Sequence, residues 1–308
     1  MKKLILNSLS FLGIFIIFYS ISLWALGSFA VKYPMLSPIN FKYPVNGNGH
    51  MHSRFIDFKE LKEADIVFMG ASTCYRHYDV RVFEEAGYKV FNFGSSGQSP
   101  IQTFDIYQEY VGALQPKLII FDVNPQTFCV DGIESQLDIL ANTETNSSNL
   151  NSTLSINHTW TYNAFYFSLM TSYLGPDKEK EPTSKYDDTY INNGFVETNK
   201  TENSRSSAGA NKTLLPKEIQ INSFLSLISA FNKDKQDFIL VQSPVTKMEY
   251  ATIQNASEID FELEKHGEYY NFNNILDLND KTDFMDLRHM NSSGATKFSK
   301  KILELINL

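Results

Sequence analysis

Short apolar runs recur at intervals along this chain and predict a central sheet. They cover residues 65–70, 88–94, 117–124 and 237–244, and Gly, Pro or Asn bounds each of them. Runs of this length and composition are typical of strands that are buried on both faces. A weaker run at 273–278 predicts a fifth strand.

Helical patterns lie between and after these runs, at residues 76–86, 100–114, 248–270 and 294–306. In the first two, apolar residues recur at three- and four-residue spacing, and Pro100 suits a first helical position. Asn291 or Ser292 caps the last helix. Alternating strands and helices predict a parallel sheet with right-handed crossovers. The expected fold is therefore a flavodoxin-like α/β/α arrangement of three layers, with a mostly parallel sheet of about five strands.

The segment 142–214 interrupts this alternation and predicts an insertion. Its flanks are rich in Asn, Ser and Thr, and they surround an aromatic stretch at 160–173. That stretch is expected to form a helix, which completes the core, packs over the sheet or forms part of a substrate lid. The polar residues 178–211 are expected to be mobile.

Residues 1–31 predict a membrane anchor. Lys2 and Lys3 precede an uncharged run at 4–31, which is long enough to cross a hydrocarbon core of about 30 Å. Lysines on the short N-terminal side favour a cytoplasmic N-terminus. The chain after Lys32 is therefore expected outside the cytoplasm, on a single-pass protein of the cell membrane. The alternative is a cleaved signal sequence, for which Ser28-Phe29-Ala30 offers a small-x-small site.

The rest of the chain is expected to be a linker at 32–64 followed by one domain at 65–308. Without Lys2 and Lys3, 25 basic residues face 35 acidic ones, which is a net charge of −10. This balance argues against a broad surface for nucleic acid or anionic lipid. Small or neutral substrates, or a membrane partner, suit it better.

Cysteine and histidine residues give little indication of a metal site. Cys74 and Cys129 are too few for a disulfide framework or a Cys-based zinc site. They follow the first and third predicted strands, whose loops share one edge of a doubly wound sheet, so a disulfide and two unpaired thiols remain equal alternatives. His50 and His52 could be metal ligands, but no third ligand accompanies them, and a flexible linker is the favoured interpretation. No metal or cofactor is expected.

Two short segments at opposite ends of the domain contain the residues that acyl transfer requires. Ser72 follows the first predicted strand, and Asp286 and His289 lie three residues apart before the last helix. A serine hydroxyl is a poor nucleophile until a base takes its proton, and a carboxylate must orient that base. Ser72, His289 and Asp286 are therefore the predicted nucleophile, base and orienting acid.

Two further residues near these segments are assigned other roles. Asp283 is a poorer partner for His289 because it lies further away, in a segment whose conformation the pattern does not predict. His77 is close to Ser72 in sequence, but it falls on the first turn of a predicted helix. It is therefore expected on the surface.

Both segments resemble motifs of the SGNH, or GDSL-like, hydrolase superfamily. The turn Gly70-Ala71-Ser72 is similar to the family's Gly-x-Ser nucleophile block, although Ala71 replaces the usual Asp or Ser. Asp286 and His289 match its final Asp-x-x-His, which runs into the last helix. The resemblance covers about residues 65–124 and 237–308, and it implies the fold and the catalytic roles given above.

The resemblance also implies an oxyanion hole. Residues 92–97 are similar to the block that supplies an oxyanion-binding glycine, which places this role on Gly97. Asn124 matches the asparagine after the third strand, although Pro125 replaces a small polar residue. The implied donors are the backbone N–H groups of Ser72 and Gly97 and the side-chain amide of Asn124. Such donors stabilise the negative oxygen of a tetrahedral intermediate.

The similarity is closer to the membrane-anchored extracytoplasmic branch of the superfamily. This branch includes the D-alanyl transfer protein of teichoic acid modification and bacterial polysaccharide O-acetyltransferases. It implies a cell-surface serine acyltransferase or esterase that acts on O-acetyl or D-alanyl groups of cell-envelope glycans. The implied partners are a glycan or acyl donor and a membrane-bound O-acyltransferase. The alternative is a non-catalytic assembly or binding factor that keeps the fold and partners such an acyltransferase.

Overall fold

A five-stranded parallel sheet lies at the centre of the computed structural model, which describes residues 1–45, 47, 49–174, 181–185, 187–201 and 209–306. The strands are β1 Ile66–Gly70, β2 Val90–Asn92, β3 Leu118–Asp122, β4 Ser184–Lys185, β5 Asp188–Ile191, β6 Phe195–Glu197, β7 Phe238–Gln242 and β8 Tyr269–Asn271. The helices are α1 Lys2–Lys32, α2 Met51–Glu60, α3 Ser72–His77, α4 Val80–Glu85, α5 Pro100–Ile106, α6 Gly112–Leu114, α7 Ile133–Asn142, α8 Ser147–Ile156, α9 Thr159–Leu174, α10 Glu218–Asp234, α11 Lys247–Tyr250, α12 Ala256–Leu263, α13 Phe272–Ile275 and α14 Ser292–Leu305. Short helical turns occupy Pro34–Leu36, Tyr107–Val111 and Pro125–Cys129.

The strand order of the central sheet is β2-β1-β3-β7-β8, and each neighbouring pair is parallel. This is the flavodoxin-like order, in which the chain first fills one side of β1 and then the other. The first four apolar runs of the sequence all form strands of this sheet. The prediction of a mostly parallel α/β sheet of about five strands is confirmed.

The predicted fifth strand at 273–278 is wrong. The fifth strand, β8, ends at Asn271, and α13 begins at the next residue. The Asn271 side chain caps that helix by accepting a hydrogen bond from the N–H of Asn273 at 3.0 Å. Tyr269 and Tyr270 of β8 are only partly buried, and Asn271 alone is buried, so this strand lacks the continuous apolar run that marks strands buried on both faces.

The single helix predicted at 248–270 is also wrong, because α11, α12 and β8 occupy this segment. Between the two helices the backbone pairs with a distant part of the chain. The N–H of Lys212 donates to the carbonyl of Thr252 at 2.8 Å, and the N–H of Gln254 donates to the carbonyl of Lys212 at 2.9 Å. These hydrogen bonds use backbone groups that a continuous helix would need.

Helices cover both faces of the sheet, as a three-layer fold requires. On one face, Phe121 of β3 lies in a cluster with Phe231 of α10. On the other face, Phe68 of β1 clusters with Phe83 of α4 and Phe298 of α14. Successive strand residues point to opposite faces, so each inner strand contributes to both clusters.

The aromatic stretch of the insertion forms helix α9, as predicted, and completes a third hydrophobic cluster. Phe167 of α9 lies there with Leu23 of α1, with Leu140 of α7 and with Phe41, which lies between α1 and α2. Of the three alternatives for this helix, completion of a core is therefore the one that the structure shows.

The second half of the insertion pairs as strands. β4, β5 and β6 form a three-stranded antiparallel sheet, so the expected mobility is wrong for the described residues of 184–197. Residues 178–180, 186 and 202–208 of the predicted mobile segment lie outside the described residues.

The predicted linker contains a packed helix, α2. Its Phe55 lies in the cluster under the central sheet, and Arg54 is fully buried. His50, which precedes α2, is 1% exposed, so the flexible-linker interpretation is wrong for this residue. The ring Nδ1 of His52 lies 3.2 Å from the carbonyl oxygen of Asn142. Among the described residues, no group of three or more His, Cys, Asp or Glu side chains could hold a metal ion.

Helix α1 is long and apolar enough to cross a membrane, by length and composition. It comprises 31 residues, and its most apolar window is not buried by the rest of the described chain. The C-terminal part of the helix differs, because Leu23, Gly27 and Ala30 are buried there.

Candidate active site

Ser72 lies at the carboxyl end of β1, in a turn that requires glycine before it. Gly70 pairs with Asp122 of β3 and has a φ angle of +151°. A Cβ atom at Gly70 would lie 2.8 Å from the Asp122 carbonyl oxygen, which is closer than atoms can pack. The chain can therefore turn out of the sheet here, and Ser72 becomes the first residue of α3.

The structure brings Ser72, His289 and Asp286 together in one hydrogen-bonded chain. Ser72 Oγ and His289 Nε2 are 2.8 Å apart. On the other side of the ring, His289 Nδ1 lies 2.9 Å from Asp286 Oδ2. The sequence predicted this geometry, and both distances are within hydrogen-bond reach for a nucleophile, its base and an orienting carboxylate.

Asp286 is held in its charged form. Burial alone would raise the pKa of this carboxyl, but the hydrogen bond and positive charge of His289 lower it, together with two backbone hydrogen bonds. Those bonds come from the N–H groups of Arg288 and His289, both at 2.8 Å from Oδ1. A carboxylate that stays ionised accepts a hydrogen bond from Nδ1–H, which leaves the unprotonated Nε2 facing the serine hydroxyl.

The loop that carries Asp286 and His289 is anchored to the turn that follows β7. The carbonyl of Leu287 accepts hydrogen bonds from the N–H and the hydroxyl of Thr246, at 3.0 and 2.9 Å. The loop also closes on itself, because the N–H of Met285 donates to the carbonyl of His289 at 2.9 Å. These bonds set the position of the base relative to the sheet.

His77 forms a hydrogen bond to the same loop. It is buried, so its predicted surface position is wrong. Its side chain is fully buried, and its Nε2 accepts a hydrogen bond from the N–H of Met290 at 3.0 Å. The rings of His77 and His289 meet edge to face, with centroids 6.3 Å apart. Burial, and then the charge of His289, hold the pKa of His77 well below its usual value. It therefore remains neutral and able to accept that bond.

The loop after β2 contains Gly97 and is tied to the nucleophile turn. The N–H of Ser95 donates to the carbonyl of Gly70 at 3.2 Å, and the Ser96 hydroxyl donates to Glu134 Oε1 at 3.1 Å. Gly97 has a φ angle of +60°, which a residue with a side chain adopts rarely. Within the described residues, the N–H of Gly97 has no hydrogen-bond acceptor, so it is available to a ligand.

Asn124 follows β3, the other neighbour of β1, and its side chain is oriented by the backbone. Its Oδ1 accepts a hydrogen bond from the N–H of Gln126 at 3.0 Å. Its Nδ2 group donates to no residue in the described part of the chain. Because the loops after β1, β2 and β3 share the carboxyl edge of the sheet, Asn124 and Gly97 lie on loops that flank the loop with Ser72. Their oxyanion-binding role remains a prediction.

Asp122 was not predicted from the sequence as a site residue. Its carboxylate joins the end of β3 to Thr73 and Tyr78 and to Ser243, which follows β7. One carboxylate oxygen accepts a hydrogen bond from the Thr73 hydroxyl. The other accepts bonds from the Ser243 N–H at 3.2 Å and the Tyr78 hydroxyl at 3.3 Å. Burial raises the pKa of Asp122 despite these bonds. An acidic residue at the end of an otherwise apolar strand was the available signal.

Glu249 is a second residue that the sequence pattern did not single out. Its Oε1 accepts hydrogen bonds from Arg288 Nε at 3.0 Å, Lys212 Nζ at 2.6 Å and Gln126 Nε2 at 3.3 Å. Burial would raise the pKa of Glu249, but Lys212 and Arg288 lower it. One buried carboxylate thus joins the loop with Asn124 to the loop with His289, although these are far apart in sequence.

Other candidate residues lie outside this network. Cys74 and Cys129 are unpaired thiols, so the disulfide alternative is not the one that the structure has. Asp283 accepts a hydrogen bond from Lys297 Nζ at 2.7 Å and stabilises the start of α14. His289 pairs with Asp286 instead, as the sequence predicted.

Two surface cavities, of about 500 and 640 Å³, lie elsewhere on the molecule. The first is bordered by α5, α8 and α10, and the second by α7 and the chain after α1. Ser72, Asp286 and His289 line neither of them. The candidate site is therefore identified by its hydrogen bonds.

No family model matches the sequence, and no curated protein matches it. Solved structures that it resembles include a protein described as an acylhydrolase from Bacteroides fragilis, with 12% identity, 81% of this chain and 91% of that chain covered, and a TM-score of 0.40. A GDSL-like lipase from Bacteroides thetaiotaomicron has 12% identity, coverage of 80% and 90%, and a TM-score of 0.39. A lipolytic protein of the G-D-S-L family from Desulfitobacterium hafniense has 11% identity, coverage of 78% and 98%, and a TM-score of 0.42.

These structural neighbours are GDSL-like proteins, and the sequence motifs resemble the same family. At such low identities and TM-scores, the neighbours carry no conclusion about activity. The conclusions about chemistry rest on the hydrogen bonds among Ser72, His289 and Asp286.

Proposed function

We propose that the protein is a serine esterase or O-acyltransferase that works through an acyl-Ser72 intermediate. The observation that supports this most directly is the 2.8 Å distance between Ser72 Oγ and His289 Nε2, with Asp286 on the opposite side of the ring. All three side chains are half-buried, so the nucleophile is supported by the protein and still accessible to a substrate.

In the first half of the reaction, Ser72 Oγ attacks the carbonyl carbon of an ester or thioester, and His289 Nε2 takes the hydroxyl proton. Asp286 stabilises the resulting imidazolium through Nδ1. The tetrahedral intermediate then collapses, the C–O or C–S bond to the leaving group breaks, and His289 returns the proton to that group. The acyl group remains on Ser72 as an ester.

In the second half, His289 takes a proton from the incoming hydroxyl, whose oxygen attacks the acyl-Ser72 carbonyl. The bond to Ser72 Oγ breaks, and His289 returns the proton to the serine. If the hydroxyl belongs to water, the net reaction is hydrolysis. If it belongs to a sugar, the net reaction is acyl transfer.

Three donors are proposed to stabilise the oxyanion in both halves, namely the N–H groups of Ser72 and Gly97 and the Nδ2 group of Asn124. Each such donor contributes roughly 10²–10³ in rate, because it acts on charge that develops in the transition state. The available N–H of Gly97 and the oriented amide of Asn124 support this assignment.

The proposed location is the outer face of the cell membrane, with α1 as an anchor. The proposed substrates are O-acetyl or D-alanyl groups of cell-envelope glycans, and the proposed partner is a membrane-bound O-acyltransferase that delivers the acyl group. A tether keeps the domain near such substrates and raises their effective concentration without changing the chemistry.

Labelling with a fluorophosphonate probe tests the nucleophile. Full-length protein in detergent should gain one probe adduct on the peptide that contains Ser72, as measured by mass spectrometry. Ser72→Ala should abolish the adduct, and Ser226→Ala, which changes an exposed helical serine, should not. A folded wild-type protein without any adduct would favour the non-catalytic binding factor.

The acyl group can be identified in a second step. Incubation with candidate acetyl and D-alanyl donors should add the mass of one acyl group to the Ser72 peptide. The decay of this intermediate, measured with and without a glycan acceptor, distinguishes an esterase from a transferase, because a true acceptor accelerates it.

A further inference from the structure

Helices α8 and α9 lie in a long stretch of sequence without charge. No Asp, Glu, Lys or Arg occurs between residues 145 and 176, although one residue in five of the whole chain is charged. The polar residues of the two helices are Asn, Ser, Thr and Tyr. Charged residues are common on the surface of an acidic domain, so a stretch of this length without any is unusual and needs a physical explanation.

Large apolar side chains of both helices are exposed. On α9, Tyr162, Leu169 and Tyr173 are spaced by seven and four residues, which places them on one face, and they are 38%, 36% and 82% exposed. On α8, Leu150 and Leu154 are four residues apart and 40% and 54% exposed. On each helix these side chains share one face, and an exposed apolar face of this kind marks an interaction site.

The exposed face of α9 adjoins the face that contacts α1. The Tyr19 hydroxyl of α1 donates to the side chain of Asn163, and Ser20 Oγ and the Tyr166 hydroxyl are 2.6 Å apart. Phe167 packs over Gly27. Positions 163, 166 and 167 lie beside positions 162 and 169 around the helix, so the contact with α1 and the exposed face are continuous.

The length of α1 places this contact at the edge of a bilayer. About 20 residues of helix span the hydrocarbon core of about 30 Å. Counted from Leu4, after the two lysines, such a span ends near Leu23. Tyr19 and Ser20 then lie at its outer end, and α9 lies at the same level. Residues 24–32 of α1 continue beyond it and belong to the folded domain, where Ala30 is buried.

We propose that α8 and α9 form a membrane-facing surface, composed of the exposed residues Leu150, Leu154, Tyr162, Leu169 and Tyr173, that lies in the headgroup region of the outer leaflet. Tyrosine and neutral polar residues are favoured in this region. The domain carries a net negative charge, so an uncharged surface is the part that can approach anionic lipids without repulsion. The inference rests on the proposed anchoring by α1.

This surface is connected to the candidate active site through one helix, α7. Ser168 of α9 donates to the carbonyl of Leu140 of α7 at 2.9 Å. At its other end, α7 carries Glu134, which accepts the hydrogen bond from Ser96 in the loop with Gly97. The distance and orientation of the candidate oxyanion loop relative to the bilayer are therefore set by a packed helix and not by a flexible tether.

Lipid-quenching of a site-specific fluorophore tests the proposal on the full-length protein in phosphatidylcholine vesicles. The background variant is Cys129→Ser, with the buried Cys74 kept. A fluorophore is attached at Tyr173→Cys, at Phe261→Cys as an exposed control on α12, or at Ile14→Cys within the span. Nitroxide-labelled lipids should quench the probes at 14 and 173 several-fold more than the probe at 261.

The three probes separate the possible failures. Quenching at 14 together with equal, weak quenching at 173 and 261 would overturn the membrane-facing surface and leave the anchor in place. Weak quenching at 14 would overturn the anchor, and the surface with it. Excimer emission between two copies labelled with pyrene at 173, in place of quenching, would assign the surface to a second copy of the chain and overturn the lipid assignment.

Discussion

The carboxyl edge of the central sheet differs in its polar side chains from the proposed membrane-facing surface of α8 and α9 (the α8–α9 surface). At the sheet edge, ionisable side chains such as Asp122, Glu249 and Asp286 are held by several directed hydrogen bonds each. The α8–α9 surface has no charged residue. Directed bonds place individual atoms to within tenths of an ångström, whereas apolar contact places a whole domain without selecting an atom.

The two regions also belong to different hydrophobic clusters. The strands that end at the candidate site are packed by the clusters on the two faces of the sheet, while α9 is packed by the cluster that includes Leu23 and Phe41. Substitutions in contact with different clusters usually have additive effects. Changes at the sheet edge should therefore alter chemistry and leave membrane placement intact, which the following predictions test.

The largest effect is expected for Ser72→Ala. Removal of the nucleophile should lower turnover of an ester substrate by a factor on the order of 10⁶, because no acyl-enzyme can form. Quenching of the probe at position 173 by labelled lipid should stay at its wild-type level, since Ser72 is not part of the α8–α9 surface. Residual turnover within tenfold of wild type would show that another residue attacks the substrate.

A smaller loss, of about 10⁴-fold in turnover, is expected for Asp286→Asn. Backbone N–H groups hold Oδ1, so the amide would turn its NH2 group toward Nδ1. The ring proton then lies on Nε2, which can no longer accept the proton of Ser72. Asp277→Asn, which changes an exposed carboxylate that pairs with Lys247, is the matched control. Equal activity of the two variants would remove Asp286 from the mechanism.

Asn124→Ala should lower turnover by roughly 10²–10³, with little change in substrate binding. Asn124→Asp is the informative comparison, because it keeps the oxygen that caps Gln126 and loses the amide donor. If Asn124 serves the oxyanion, both variants are slow. If it serves only the turn, the aspartate variant restores the activity that the alanine variant loses, and the oxyanion assignment is wrong.

His77→Phe should destabilise the fold and misplace the base. It leaves the buried N–H of Met290 without an acceptor, which costs about 1–3 kcal/mol in free energy of unfolding. The expected readouts are a lower urea midpoint and a lower turnover number at unchanged fluorophosphonate stoichiometry. His77→Gln, which keeps an acceptor, should recover part of both. An unchanged midpoint in His77→Phe would show that the bond to Met290 contributes little.

The same residue predicts a pH dependence of stability. In the unfolded chain the pKa of His77 returns to the ordinary histidine value of 6.5, whereas the folded state holds that pKa well below it. The unfolded state therefore binds more protons as the pH falls below about 6.5, and the free energy of unfolding decreases. Wild-type protein should lose more stability between about pH 7.5 and about pH 5.5 than His77→Phe does, as measured by urea unfolding.

The smallest effect is expected for Glu249→Gln. The amide keeps an acceptor for Arg288, Lys212 and Gln126 but removes the charge that attracts the two cations, so the loops should loosen slightly. A several-fold decrease in the turnover number is expected, with an unchanged Michaelis constant for a neutral ester. Glu262→Gln, which changes an exposed carboxylate, is the control, and equal activity of both variants would make Glu249 a purely structural residue.

Much of the site could be predicted because its motifs are local. Gly70 and Ser72 lie in one turn after an apolar strand, and Asp286 and His289 lie three residues apart on one loop, so short-range geometry limits where their side chains can point. Four of the five strands were predictable for a related reason, since strands as buried as β1, β2, β3 and β7 require an apolar run that is visible in the sequence.

What the sequence determined by itself was therefore the set of local elements, namely the apolar N-terminal helix, these four strands and the two motifs that carry the candidate nucleophile and base. Tertiary structure alone decided that His77 lies buried under the His289 loop, that Glu249 joins two distant loops, and that β8 ends where α13 begins. The physical reason is that burial of a polar side chain, and the pairing of an edge strand, depend on residues far away in the chain. No pattern within one segment specifies which distant residues supply those partners.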